Sequence, residues 1–276
     1  MLNAENTKNS LKYDKNNKYH RLIRAIIITF SSLIILLLIW WNLSLFLRIP
    51  AIPTPARVWD AFISLFSNGD PITGFSMWKH ISSSLIRFAW GFLIAFAIAV
   101  PFGLLLGYSE TLRNFSNPAI EILRPIAPIA WAPVFVLSIG LQWGAILVVT
   151  IGIFFPLLTN TAFGVKKIDP IMLDASRTLG ANKFQQFYKV MFPCAVPYIM
   201  NGIRIGLGIG WMCIVAAEMY AGGFGGGIGF FISLQASLAL WPNVFVGIGV
   251  IAVLGILTTG VADYAYRKIA KGMGME

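Results

Sequence analysis

Hydrophobic positions along this chain come in long unbroken runs, and charged residues mark where each run stops. Residues 25–47 pass without a charge for 23 positions. As a helix that run is about 35 Å long, enough to cross a hydrocarbon core of about 30 Å with some tilt. Between Arg87 and Glu110 lie 22 more uncharged positions. Residues 125–165 are charge-free for 41 positions, too long for one pass and right for two, with Gln142-Trp143-Gly144 as the natural turn. Residues 205–262 hold one charge, Glu218, and a cluster of Gly222, Gly223, Gly225, Gly226 and Gly227, which reads as two helices around a turn. The pattern predicts an all-α polytopic membrane protein with about six transmembrane helices.

The expected organisation is a tail at 1–24, a first transmembrane helix at 25–47 and an extracytoplasmic segment at 48–84. A core of five further transmembrane helices follows at 85–266, then a tail at 267–276. The first 20 residues are rich in Asn and Lys and are expected to be disordered. The first apolar run exceeds the 7–15 residues of a cleaved signal, and no A-x-A site follows, so it reads as a retained helix.

Composition agrees: 57% of residues are hydrophobic, mean hydropathy is +0.75, and 12% are charged where soluble domains carry about 25%. This excludes disorder, a disulfide scaffold and a water-soluble globule. With the N-terminus inside, 16 of the 21 Lys and Arg fall on the cytoplasmic side. Arg48, Arg57, Lys79 and Arg87 fall outside, so both termini are expected in the cytoplasm of a multi-pass cell-membrane protein. The net charge of +10 is thus topology, and no nucleic-acid surface is implied.

Chemistry-bearing residues are sparse. Cys194, Cys213, His20 and His80 offer no metal-ligand spacing, and no cofactor is implied. No glycine is followed by lysine, so there is no Walker A phosphate loop and any ATP hydrolysis belongs to another chain. Glu218 and Asp263, near helix ends, are the carboxylates within the spans, which leaves a stand-alone secondary transporter or channel as the alternative function. Glu218 has two readings: a polar group at the pathway or outer gate, or a helix-end carboxylate bonding interfacial water or a neighbouring helix. Gly202, Gly206 and Gly210 form a small stripe, for close packing around a pathway or dimer axis, or for packing within one subunit. Prolines 101, 125, 128, 133 and 156 are expected to kink helices two to four.

In segment 48–84, Thr54 suits a helix cap and Pro55 the first helical position. Val58, Trp59, Phe62, Ile63 and Phe66 then recur at helical spacing, for a helix at the membrane interface or one packed in an ectodomain. The loop at 166–197, between helices four and five, is polar. Its stretch 170–180 is helical, with Asp169 as cap and Gly180 as stop; a second stretch, 182–191, is expected to end before Pro193.

That loop reads Asp174-Ala175-Ser176-x3-Gly180-x9-Val190-x-Phe192-Pro193. It resembles the EAA loop, E-A-A-x3-G-x9-I-x-L-P, of the permease subunits of ATP-binding-cassette importers. Spacing matches throughout, while Asp, Ser, Val and Phe replace Glu, Ala, Ile and Leu. Pro53-Thr54-Pro55 with Val58-Trp59, Trp131-Ala132-Pro133, Phe154-Phe155-Pro156, Asn160-Thr161 and Ala216-Ala217-Glu218-Met219 resemble the nitrate/sulfonate/taurine/bicarbonate branch. The resemblance implies a coupling helix in which Asp174, Ala175, Ser176 and Gly180 contact an ATPase, with Arg177 and Lys183 on its polar surface and Pro193 closing the motif. It also implies two ATPase subunits, a second copy of the chain, an extracytoplasmic binding protein and a small anionic solute.

Overall fold

The computed structural model describes residues 2–47, 49–220 and 225–272, and two compact units divide the chain, 1–61 and 62–276. The first unit carries α1 (Leu2–Leu47). From Ile27 to Leu47 its apolar side chains are exposed nearly all round, as a lipid-facing span requires. Ser31, Ser32, Asn42 and Ser44 each bond a carbonyl of their own helix, which keeps these polar groups from facing lipid unpaired. The helix begins at Leu2, which corrects the expectation of a disordered tail. No Gly or Pro stands among the first 24 residues to stop a helix growing back from the span.

Helix α2 (Pro55–Asn68) starts at Pro55 as expected. Its Trp59 and Ile63 are largely exposed, while Leu65 is buried and Phe66 packs against Trp78 of α3.

The second unit contains α3 (Met77–Tyr108), α4 (Glu110–Leu123), a 3-10 turn (Pro128–Trp131), α5 (Ala132–Lys166), α6 (Pro170–Thr178) and α7 (Lys183–Gln186). After a π-helical turn (Phe187–Met191) follow α8 (Phe192–Met219), α9 (Ile228–Ser237) and α10 (Trp241–Gly272). Among the described residues five helices are long and apolar enough to cross a membrane. The core therefore starts earlier than 85: Ser76 caps α3, accepting from the Lys79 N–H, and Arg87 lies in the third turn, buried, instead of at a membrane boundary. At the other end α10 runs into the expected tail, as far as Gly272; residues 273–276 lie outside the described residues, as does Arg48.

The expected two-crossing hairpin in 125–165 is not formed: residues 132–166 make one long helix, α5, folded back sharply at Gly140, with φ +81°, in place of a turn at Gln142-Trp143-Gly144. A Cβ on Gly144 would stand 2.7 Å from the Val136 Cα, so the two arms of α5 lie against each other. The first arm, 132–139, is too short to cross. The chain runs back along the long arm in pieces. Arg113 and Asn117 of α4 border Lys166, Arg124 and Pro128 border Ile151 to Asn160, and Val136 meets Gly144. One predicted transmembrane helix is thus a broken segment, 110–139. Pro125 and Pro128 sit in its interruption and Pro133 in the first turn of α5, where proline stops or starts helices instead of kinking them. Pro101 and Pro156 lie inside continuous helices. Similarly the last helix begins at Trp241; the ten residues of α9, directly after the glycine cluster, are too short to span.

The long arm of α5 is the centre of this unit, held between α3 and α8. On α3, Gly91, Ala95, Ala99, Gly103 and Gly107 recur every fourth residue, and a Cβ on Gly91, Gly103 or Gly107 would run into Val149, Thr161 or Val165. On α8 the stripe Gly202, Gly206, Gly210 faces Leu157, Asn160 and Ile153 of α5 in the same chain. Lipid supplies no hydrophobic drive, so such close approach is what holds membrane helices together. Phe88 stacks on Trp211 at 4.5 Å, joining α3 to α8 directly.

Gly206→Leu is expected to destabilise the unit by about 1–3 kcal/mol through overpacking against Ile153. Gly208→Leu, whose Cβ meets nothing within 4 Å, is its control and should keep the wild-type Tm in detergent.

Candidate functional site

Two arrangements carry chemistry, one in the loop after α5 and one buried where α3, α8 and the glycine turn meet.

The loop is built from capping alone. Asp169 accepts from the Ile171 N–H at 2.9 Å and starts α6. At its far end Gly180 takes φ +80°. Its N–H bonds the Arg177 carbonyl and the Ala181 N–H bonds that of Ser176, the paired bonds of a Schellman stop. Asn182 and Gln185 then form a reciprocal capping box that starts α7. Gln186, buried, ties the two helices by donating to the Leu173 carbonyl at 3.0 Å and the Ser176 hydroxyl at 2.8 Å. The second helical stretch does not end before Pro193. It passes through the π-helical turn, where the Phe192 N–H reaches back to the Phe187 carbonyl, and continues as α8 with Pro193 in its first turn. The wider turn relieves the clash proline would make with the carbonyl four residues back.

On the loop surface Asp174 and Arg177 pair at 3.1 Å, both exposed, and Ala175 and Lys183 are exposed beside them. Ser176 is turned inward. Large apolar side chains stand in the open: Leu179 is 87% exposed, Phe184 76% and Ile171 74%. Sequence reading singled out the EAA positions and passed over these three; the signal was their place in a polar loop.

The buried arrangement centres on Glu218, with no exposed surface. Its carboxylate accepts from Arg87 Nη1 at 2.8 Å, from the Ser84 hydroxyl at 2.8 and 2.9 Å, and from the Gly229 N–H at 3.0 Å. Arg87 gives three of its other four donors to the Gly226 and Gly225 carbonyls and to Gln142 Oε1. The Ser84 hydroxyl accepts from the Ile228 N–H, and His80 Nδ1 meets Gly227. His80, Ser84 and Arg87 fall on one face of α3, four and three residues apart. Gly225, Gly226 and Gly227 all have positive φ, and a Cβ on Gly227 would lie 2.6 Å from the Glu218 carboxyl carbon. Only glycine lets this backbone close over the carboxylate. The cluster thus encloses Glu218 and bonds it to the neighbouring helix; Gly222 and Gly223 lie outside the described residues. Asp263, the other carboxylate, pairs with Arg204 between α10 and α8.

Among the described residues no group of three or more His, Cys, Asp or Glu could hold a metal. Cys194 and Cys213 are free thiols.

Comparison with known proteins accounts for this layout. Residues 99–271 match the family described as binding-protein-dependent transport system inner membrane component. The chain is 31% identical over 239 residues to the taurine transport system permease protein TauC of Escherichia coli (strain K12), covering 86% of each. It is 34% identical to the nitrate import permease protein NrtB of Synechocystis sp., covering 75% of this chain and 76% of that protein. It is 30% identical to the bicarbonate transport system permease protein CmpB of Synechococcus elongatus, covering 99% and 100%. In fold it is similar to a chain of the inward-facing MetNI methionine ABC transporter, with TM-score 0.55 and 20% identity over 71% of this chain and 97% of that one. The chain belongs to the binding-protein-dependent transport system inner membrane components, the non-enzymatic multi-pass permease subunits of ATP-binding-cassette importers, which work with separate ATPase subunits and a binding protein.

Proposed function

We propose that this permease imports a small oxyanion or sulfonate, as the names of its taurine, nitrate and bicarbonate relatives suggest. Two copies enclose the pathway, each seated through α6 and α7 on one of two ATPase subunits, with both chain termini in the cytoplasm. The observation that carries the coupling role is the loop itself: two capped helices fixed by Gln186, presenting Leu179, Phe184 and Ile171 to the aqueous side. A connector has no use for exposed apolar side chains on a rigid frame; a docking surface does.

In this mechanism ATP closes the ATPase pair and draws the two loops together. Because α7 runs without a break into α8, the displacement passes directly to the helix packed on α5. The helices rock from inward- to outward-facing, and hydrolysis resets them. The Arg87–Glu218 cluster keeps the far ends of α3 and α8 moving as one body.

Reporter fusions at Lys12, Lys183 and Lys271 are expected to report cytoplasm and one at Gly69 the outside. Co-expressed with its ATPase and binding protein in proteoliposomes, the permease should take up nitrate, bicarbonate or taurine only with internal ATP. Uptake driven by a proton gradient without the ATPase would replace this reading with a stand-alone transporter.

A further inference from the structure

We infer that Arg124, Thr159 and Asn160 form a mid-membrane station for the transported oxyanion, an assignment that rests on the importer reading above. Arg124 ends α4 at the break in the interrupted crossing. It borders a cavity of about 300 Å³ together with Pro128, Phe155, Thr159, Asn160 and Ile205. Depth follows from the helix ruler: Phe155 lies 11 residues before Lys166 on α5, about 16 Å along the axis and close to the middle of a core of about 30 Å.

A charge at that depth is costly unless paired or facing water or a solute. Two other cations of the membrane helices are paired: Arg87 with Glu218, and Arg204 with Asp263. Among the described residues the Arg124 guanidinium has no hydrogen bond or ion pair, and Glu121, one turn back, is not paired with it. Its five donors are therefore available to a planar or tetrahedral oxyanion. Beside it, Asn160 is held from both sides, donating to the Pro156 carbonyl at 2.8 Å and accepting from Asn201 at 2.9 Å. The break in the crossing places the charge: a continuous helix through 124–131 would bring no interruption to this depth, and Pro125 and Pro128 enforce it.

A second cavity, of about 200 Å³, adjoins the first through Thr159, which borders both. Arg113 and Lys166 border this one at the loop end of α5. An anion leaving Arg124 thus passes Thr159 and meets Lys166 and Arg113, the latter 3.6 Å from Glu110, at the membrane face. The excess of cations bordering the two cavities, Arg124, Arg113 and Lys166, favours an anion over a cation.

The test uses the complete importer in proteoliposomes, with nitrate, bicarbonate and taurine assayed separately for uptake and for ATP hydrolysis. Arg124→Gln is expected to cut anion moved per ATP by ~10-fold or more, the scale of a lost charge-assisted hydrogen bond. ATPase co-purification should be unchanged. Arg124→Lys should recover much of the transport and Arg124→Glu none. Wild-type transport per ATP in Arg124→Gln would overturn the station, as would Lys and Gln variants failing equally with loss of the ATPase subunits. If the wild-type importer moves methionine but none of the three anions, the importer stands and the oxyanion station falls. If it moves no solute with ATP, both fall.

Discussion

Glu218→Ala is expected to lower the stability of the permease by about 3–5 kcal/mol, because it strands a buried Arg87 with no counter-charge. The ion pair is enclosed, with side-chain exposures of 4% and 0%, so solvent screening does not soften the loss. Removing the carboxylate also leaves the Gly229 N–H and the Ser84 hydroxyl without their acceptor. Glu218→Gln keeps an acceptor oxygen at the same place and should cost less. The double variant Arg87→Met, Glu218→Leu removes both charges, and its stability is expected to lie above that of Glu218→Ala and of Arg87→Ala by about 1–3 kcal/mol. Denaturant unfolding of the permease in mixed micelles measures all four. A Glu218→Ala protein as stable as wild type would show that the cluster does not lock α3, α8 and the glycine turn.

Fold class was legible in the sequence because the membrane requirement is one-dimensional: a long uncharged run must be a helix, and its length counts the crossings. The ruler failed where a charge was buried with a partner. Arg87 looked like a boundary because nothing local announces Glu218, 131 residues later, as its mate. Polar His80, Ser84 and Arg87 on one face of a helix were the available hint. Likewise Gly140 was hidden among glycines at 140 and 144, and only the pairing of the arms decides which one takes the positive φ. The limits of α6 were legible, since capping is local: Asp169 and Gly180 act on neighbours within four positions. The end expected before Pro193 was not, because a π turn carries the helix through it. What the loop presents outward was not, because exposure of Leu179 and Phe184 depends on which side of α6 and α7 packs inward through Gln186.

Leu179→Asp with Phe184→Asp is expected to weaken binding of the ATPase subunit by at least ~30-fold, the effect of removing two apolar anchors worth about 2 kcal/mol or more together. Both side chains are exposed, so the permease itself should fold with unchanged Tm. Gly180→Val attacks the same surface through its frame. A Cβ there meets nothing within 4 Å, and the penalty comes from φ +80° alone, about 1–3 kcal/mol for a β-branched residue. That is enough to distort the Schellman stop and swing α6 away from α7 without touching the helices of the membrane. Asparagine tolerates left-handed backbone, so Gly180→Asn should retain binding where Val loses it. Asp174→Glu, in an exposed pair with Arg177, should remain active. ATPase co-purification and ATP-driven uptake across these variants separate the anchors from the frame. A transporter with Asp at both 179 and 184 that still holds its ATPase and imports at the wild-type rate would reduce the loop to a connector.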